Sequence, residues 1–330
     1  MSYRKEDYIC VSAMLRGREL KMLDNSRAER MLEAASFEDA AKVLADCGYP
    51  DLSQLRASEI DAVLAERRNG IFAELERMVP DRRLIDVFRM KYDYHNVKAI
   101  LKGEATGQDV RHLLSGAGRV APIELQELYR EERFGELPPV MAQAMTEARN
   151  ILARTANPQL SDFVLDKAYF TELRQAATDL NIPFLADYAA LLADSVNLRT
   201  AVRTRRMGKE SVFLGDVLLE GGTVELRRIT AAEDGDALRA LYAGKPLEKA
   251  AALGAEALEG GSLTAFERAC DNAVNAYLKK AKYVGFGAEP VAAYLAAVEE
   301  EITAIRMMLA GRLAGVSPDV IRERMRDLYA

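Results

Sequence analysis

The sequence predicts an all-α fold, and three observations support this prediction. Apolar residues make up 49% and charged residues 29% of the 330 positions, which is typical of a chain that forms a hydrophobic core. Aromatic residues account for only 7%, Trp is absent, and the alternating patterns of β-strands are almost missing. The third observation is that one helical motif occurs three times, which also predicts how the chain is divided.

The repeated motif begins with an acidic residue and carries a basic residue five positions later. Its copies run from Asp93 to Gly103, from Asp194 to Val202 and from Glu301 to Leu309. Counted from the acid, apolar residues recur at positions −3, +1, +4 and +8, with one polar substitution, Ser195, in the second copy. This spacing lines one face of an α-helix, so each copy is predicted to lie on a helix.

The acid and the base of one copy lie about 140° apart on a helical wheel, taking ~100° per residue. They therefore cannot pair within their own helix, and each is expected at the edge of the buried face, where it can meet a neighbouring helix or a neighbouring copy of the motif. In the first two copies an Asn follows three residues after the acid, and we expect it to reach that acid along the helix. The candidate bridging residues are Asp93, Asn96, Lys98, Asp194, Asn197, Arg199, Glu301 and Arg306.

The separation between the copies predicts the domain organisation. It is 194 − 93 = 101 residues between the first and second acids and 301 − 194 = 107 between the second and third. A period of this length is the size of a small domain and far exceeds a solenoid repeat. We therefore expect three related helical domains, at residues 1–107, 108–212 and 213–330.

Gly, Pro and capping residues separate the predicted helices. The first-copy helix is expected to span about residues 82–102, with Gly103 as its stop. Other predicted helices lie at about residues 8–23, 36–44, 56–78, 140–156, 160–178 and 263–282, and Ser317-Pro318 begins a final helix.

Composition excludes several classes of function. A net charge of −6 gives no general attraction to nucleic acid or to an anionic bilayer. Three scattered cysteines without a CxxC pattern indicate reduced thiols and a cytosolic setting, and we expect neither a signal peptide nor a membrane-spanning segment.

The sequence also contains no recognisable catalytic motif. Only two histidines occur, and the patterns of zinc proteases, serine hydrolases and phosphate-binding loops are missing. The acidic run from Glu299 to Glu301 is interpreted as a solvated helix face. The sequence therefore predicts no catalytic residue, no metal ligand and no cofactor.

Two motifs carry a resemblance to a known family. Lys-Tyr-Asp-Tyr-His-Asn-Val-Lys-Ala-Ile-Leu-Lys at residues 91–102 and Asp-Ser-Val-Asn-Leu-Arg at residues 194–199 resemble the C subunit of the archaeal and bacterial A/V-type rotary ATPases, which is related to the d subunit of the eukaryotic vacuolar enzyme. Residues 165–170, 181–185 and 287–295 agree in matching order. The third copy departs from the pattern, since Ala304 stands where the other copies have Asn.

The resemblance implies a non-catalytic subunit of the central stalk, with three domains in a pseudo-threefold, funnel-like arrangement. It would lie on the cytoplasmic face of the membrane without inserting into it, and would need no cofactor. It would form a socket that links the D and F proteins of the axle to the membrane proteolipid ring, and would transmit torque for ATP-coupled proton or sodium transport. Two alternatives stay open: a helical scaffold or adaptor subunit of another cytosolic assembly, and a helical enzyme whose site the sequence does not reveal.

Overall fold

The computed structural model describes residues 3–208 and 211–330, and all regular secondary structure in these residues is helical. The predicted all-α class is thus confirmed. The α-helices are α1 (Ile9–Glu19), α2 (Asn25–Glu33), α3 (Phe37–Lys42), α4 (Ala57–Met78), α5 (Arg83–Thr106), α6 (Pro122–Arg130), α7 (Pro139–Thr155), α8 (Pro158–Leu180), α9 (Pro183–Arg206), α10 (Ser211–Val217), α11 (Leu226–Ala231), α12 (Gly235–Ala240), α13 (Glu248–Leu258), α14 (Leu263–Leu278), α15 (Ala288–Leu313) and α16 (Pro318–Arg324). Short 3₁₀ turns lie at Lys5–Tyr8, Val43–Cys47, Arg111–Leu113, Phe134–Glu136 and Lys279–Tyr283.

Proline and short polar side chains define many of the helix starts. Pro is in the first turn of α6, α7, α8, α9 and α16, where its missing N–H costs no hydrogen bond and its fixed φ suits a helix. The side chains of Ser36 and Ser262 accept the N–H three residues later, at 3.1 and 3.2 Å, and cap α3 and α14. These local signals explain why most predicted helices have nearly the observed bounds.

The three copies of the motif lie on the long helices α5, α9 and α15. The predicted end of the first of these was wrong, because α5 continues through Gly103 to Thr106. Gly107, at φ 66° in the left-handed region, follows its last turn instead. Gly103 has a packing role, since a Cβ there would lie 2.8 Å from Cγ1 of Val110.

Each of the three long helices packs against a different set of helices. Helix α5 packs against α7 and α8, and α9 packs against α8, α13 and α14. Helix α15 lies near the C-terminal end of the chain and packs against three N-terminal helices, α1, α3 and α4. The division at residues 107 and 212 stays a prediction, but the contacts show that the third motif helix is covered by the N-terminal segment.

Candidate functional site

The acid and the Asn of the first motif bind one loop, and we call Asp93, Asn96 and the loop at residues 115–120 the first anchor. Asp93 is completely buried and accepts the backbone N–H of Arg119 at 2.9 Å and that of the following residue at 3.2 Å. Nε of Arg119 donates to the second carboxylate oxygen at 2.6 Å. Asn96 donates to the carbonyl of Ser115 at 2.9 Å and accepts its N–H at 2.7 Å. The loop is thereby fixed at both ends to α5.

The second anchor repeats this geometry with Asp194, Asn197 and the loop at residues 219–224. Asp194 accepts the N–H of Thr223 at 3.0 Å, its hydroxyl at 2.6 Å and the N–H of the following residue at 3.2 Å. Asn197 donates to the carbonyl of Leu219 and accepts its N–H, both at 2.8 Å. In both anchors, the Asn binds a loop residue and the acid binds the residue four positions later (119 − 115 and 223 − 219). The two loops therefore have the same register relative to their motif helices.

A glycine allows each loop to approach its acid. A Cβ on Gly118 would lie 2.3 Å from Oδ1 of Asp93, and a Cβ on Gly222 would lie 2.2 Å from Oδ1 of Asp194. Neither glycine has a positive φ, so the close approach alone requires the missing side chain. Both positions are followed by a polar residue and a valine, and this Gly-x-Val pattern is the signal in the sequence that points to the loops.

The third anchor consists of Glu301, Leu23 and Tyr49, and it joins the two ends of the chain. Glu301 is 4% exposed and accepts the N–H of Leu23 at 2.9 Å and the hydroxyl of Tyr49 at 2.6 Å. With Ala304 three residues after the acid, no amide completes this anchor. The longer Glu side chain and a tyrosine hydroxyl therefore do here what Asp and Asn do in the other two anchors.

Burial raises the pKa of two of these acids, Glu301 and Asp93. Burial raises the pKa of Glu301, and the hydrogen bonds from Tyr49 and from the backbone of Leu23 act against that rise. Burial also raises the pKa of Asp93, and the charge of Arg119 and the hydrogen bonds from the loop N–H groups only partly offset this rise. In both cases the hydrogen bonds favour the ionised form that desolvation disfavours.

The basic residue of each motif lies against an Asp on a neighbouring helix. Nζ of Lys98 is 2.5 Å from Asp166 on α8, and Nε of Arg306 is 2.5 Å from Asp61 on α4. A guanidinium nitrogen of Arg199 donates to Asp271 on α14. In all three copies the acid thus binds a loop or an N-terminal residue, while the base binds another helix.

Two expectations about these residues were wrong. Asn96 and Asn197 bind loop backbone instead of reaching back to their own acids, because the loop supplies both a donor and an acceptor at the right separation. The acidic run is not a solvated face either. Glu301 is buried, and the side chain of Glu299 is 16% exposed and lies 3.2 Å from Nζ of Lys91.

A cavity of about 400 Å³ opens between α5, α8, α9, α14, α15 and the extended chain at residues 325–328. We call it the central cavity, because all three motif helices contribute to its wall. Its apolar side chains include Val87, Phe88, Leu173, Leu192 and Met307, and its charged side chains include Lys91, Arg199, Asp271, Glu299 and Glu300. The acids of the three anchors do not line it. They fix the loops and the chain ends around the helices that form it.

Two other kinds of site are missing from the part of the chain that the structure describes. No helix in residues 3–208 or 211–330 combines the length and apolarity needed to span a membrane. Within these same ranges, no three His, Cys, Asp or Glu side chains are grouped in a way that could hold a metal ion.

The fold and the anchors define a class: an all-helical protein in which the three helices that carry one repeated motif all contribute to the wall of one cavity. The chain belongs to the family of ATP synthase (C/AC39) subunits, since the family model matches residues 11–324.

Three relatives show the range of this family. The C subunit of the V-type sodium ATPase of Enterococcus hirae is 24% identical over 327 residues, which cover 98% of this chain and 99% of that protein. The C subunit of the A-type ATP synthase of Methanocaldococcus jannaschii is 23% identical and covers 97% and 86%. The C subunit of the V-type ATP synthase of Thermus thermophilus is 27% identical over 214 residues, covering 62% and 65%.

Proposed function

We propose that this chain is the non-catalytic central-stalk subunit of a V/A-type rotary ATPase, placed on the cytoplasmic face of the membrane. It forms a socket between the D and F proteins of the axle and the proteolipid rotor ring, and it transmits torque for ATP-coupled ion transport. The observation that carries this proposal is the central cavity, to which each of the three motif helices contributes, in a chain that belongs to an ATP synthase subunit family. A cavity formed in this way suits a part that receives an axle.

The proposal needs a chain that resists twisting, and the anchors favour such stiffness. The first and second anchors fix their loops through hydrogen bonds to buried carboxylates, which are stronger than hydrogen bonds between neutral groups, and through hydrogen bonds to the side-chain amide of a buried Asn. We propose that these anchors, together with the ion pairs of Lys98, Arg199 and Arg306, hold three domains at residues 1–107, 108–212 and 213–330 in a pseudo-threefold funnel.

A reconstitution experiment tests this function. The chain is purified alone and mixed with the D–F pair and, separately, with the detergent-solubilised proteolipid ring encoded in the same genome. Size-exclusion chromatography should show a stable complex with each partner and a ternary complex with both. In proteoliposomes, the complete ATPase should transport ions during ATP hydrolysis, whereas the assembly lacking this chain should hydrolyse ATP without transport.

Two results would contradict the proposal. If the chain bound neither the axle pair nor the ring, it would belong to another assembly as a scaffold. If the assembly without the chain transported ions at the rate of the complete one, the chain would have no coupling role.

A further inference from the structure

The wall of the central cavity is apolar where the long helices face one another. Phe88 of α5 and Leu173 of α8 are buried in this wall, and Phe88 stacks on Tyr188 of α9 with ring centroids 6.2 Å apart. Leu192 and Met307 extend the apolar surface along α9 and α15. With a volume of about 400 Å³, the cavity can hold several side chains of an inserted segment.

Most charged side chains around the cavity already have partners. Glu299 lies 3.2 Å from Nζ of Lys91, and Asp271 accepts a hydrogen bond from Arg199 and another, at 2.8 Å, from Arg326. On the walls formed by α5, α9, α14 and the C-terminal residues, these acidic and basic side chains are therefore paired with one another.

Glu300 of α15 is the exception among the described residues that line the cavity. No hydrogen bond or ion pair reaches its carboxylate, and its Oε2 atom is buried without a partner. Burial, together with the negative charge of Asp271, raises the pKa of this carboxyl to about 8, while Lys279 and Lys91 act against the rise. Such a group is costly to ionise until a positive charge comes beside it.

We propose that the central cavity receives apolar side chains of a segment of the axle, and that one basic side chain of the same segment pairs with Glu300. The inference rests on the proposed function for the identity of the partner, and on the cavity for its chemistry. The apolar wall fits an apolar surface, and Glu300 is the one charged residue left without a partner in the described part of the lining. A lysine or arginine would supply the missing donors and would convert Glu300 to its carboxylate on binding.

The test compares Glu300→Gln with the wild type in binding to the purified D–F pair. Gln keeps the size of the side chain and imitates the neutral carboxyl, so the variant is expected to fold, which its melting curve verifies. Glu147→Gln is the matched control, because Glu147 is an exposed glutamate on α7 that does not line the cavity. At pH 8.5 the Kd of Glu300→Gln should be roughly 10-fold or more above that of the wild type, and the control should match the wild type.

The pH dependence gives a readout that a general loss of structure would not produce. Wild-type affinity should increase between pH 6.5 and 9, because the pair forms with the carboxylate and Glu300 loses its proton over this range. Glu300→Gln should show a nearly flat profile. Calorimetry at pH 7 in buffers of different ionisation enthalpy should detect about one proton released on binding by the wild type, and fewer by the variant.

The possible failures can be distinguished. If the wild type binds the axle pair and Glu300→Gln binds equally well with the same pH profile, the inference is wrong and the proposed function stands. If the wild type does not bind the pair at all, the proposed function itself fails. A concentration-dependent dimer of this chain that Glu300→Gln abolishes would also overturn the inference, since the occupant would then be a second copy.

Discussion

Replacing Asp194 by Asn keeps the size of the side chain and turns one hydrogen-bond acceptor into a donor. In the second anchor, Oδ2 accepts the N–H and the hydroxyl of Thr223, while Oδ1 accepts the N–H of Val224. Whichever way the new amide is oriented, its NH₂ group faces a backbone N–H. One donor of the loop therefore loses its acceptor.

The geometry indicates which donor is lost and how much stability depends on it. Val224 is buried, whereas Thr223 is exposed and can turn its donors towards water. The amide oxygen should therefore stay on Val224 and the NH₂ group should face Thr223. An unpaired donor of this kind and the loss of a charged acceptor together cost about 1–3 kcal/mol. Asp194→Ala also leaves the buried N–H of Val224 without a partner, and should cost about 3–5 kcal/mol.

Urea unfolding followed by circular dichroism measures the change, with Asp179→Asn as the control because Asp179 is exposed on α8. Hydrogen exchange then locates it: amides at residues 219–224 should exchange faster in Asp194→Asn, while those at residues 115–120 should not change. The reasoning would be refuted if Asp194→Asn and the control unfolded within about 0.5 kcal/mol of each other with unchanged exchange.

Three further predictions concern the same elements. Gly222→Ala should destabilise the chain by about 1–3 kcal/mol, because its Cβ would lie 2.2 Å from a carboxylate oxygen, whereas Gly70→Ala, with open space around it, should stabilise it by about 0.5–1 kcal/mol. Arg306→Ala should change stability by less than about 1 kcal/mol, since both side chains of its ion pair are exposed, and Arg199→Ala should cost more because its pair is half-buried. Stability of the wild type relative to Glu300→Gln should fall by roughly 4 kcal/mol as the pH rises from 5 to 8.5.

The sign of the last prediction follows from the raised pKa. Glu300 titrates near 4.5 in the unfolded chain and at about 8 in the folded chain, so between these values the folded chain binds more protons and loses stability as the pH rises. An equal pH profile for both proteins in thermal unfolding would contradict this account. Equal melting temperatures of Gly222→Ala and Gly70→Ala, or of Arg306→Ala and Arg199→Ala, would contradict the other two predictions.

Periodicity in the sequence was sufficient to place the three motif helices, because an apolar stripe with helical spacing has to be buried. It could not identify the partners of Asp93 and Asp194. The two loops share only a Gly-x-Val pattern, and this pattern follows the acid at different distances, 118 − 93 = 25 and 222 − 194 = 28 residues. A pattern of three residues at a variable distance is too weak to be recognised before the contact between loop and helix is known.

The acidic run was misinterpreted for a different physical reason. A helical wheel separates a buried face from a solvated one only when the helix has a solvated face. Helix α15 is covered on most sides, as the burial of Ala292, Ala293, Tyr294 and Leu295 in succession shows. In such a helix three successive acids point to three different neighbours: the N-terminal segment for Glu301, the central cavity for Glu300 and α5 for Glu299.

The third anchor shows why the repeat period does not fix the boundaries of the predicted domains. A period near 100 residues is unchanged when every boundary is shifted along the chain by the same amount, so the sequence cannot tell which segment completes which motif helix. The contacts assign the N-terminal segment to α15. Arg312 on α15 donates to the carbonyls of Leu32 and Ala34, and Arg322 pairs with Glu29 at 2.8 Å. The beginning of the chain therefore binds α15, as the loops after α5 and α9 bind those helices.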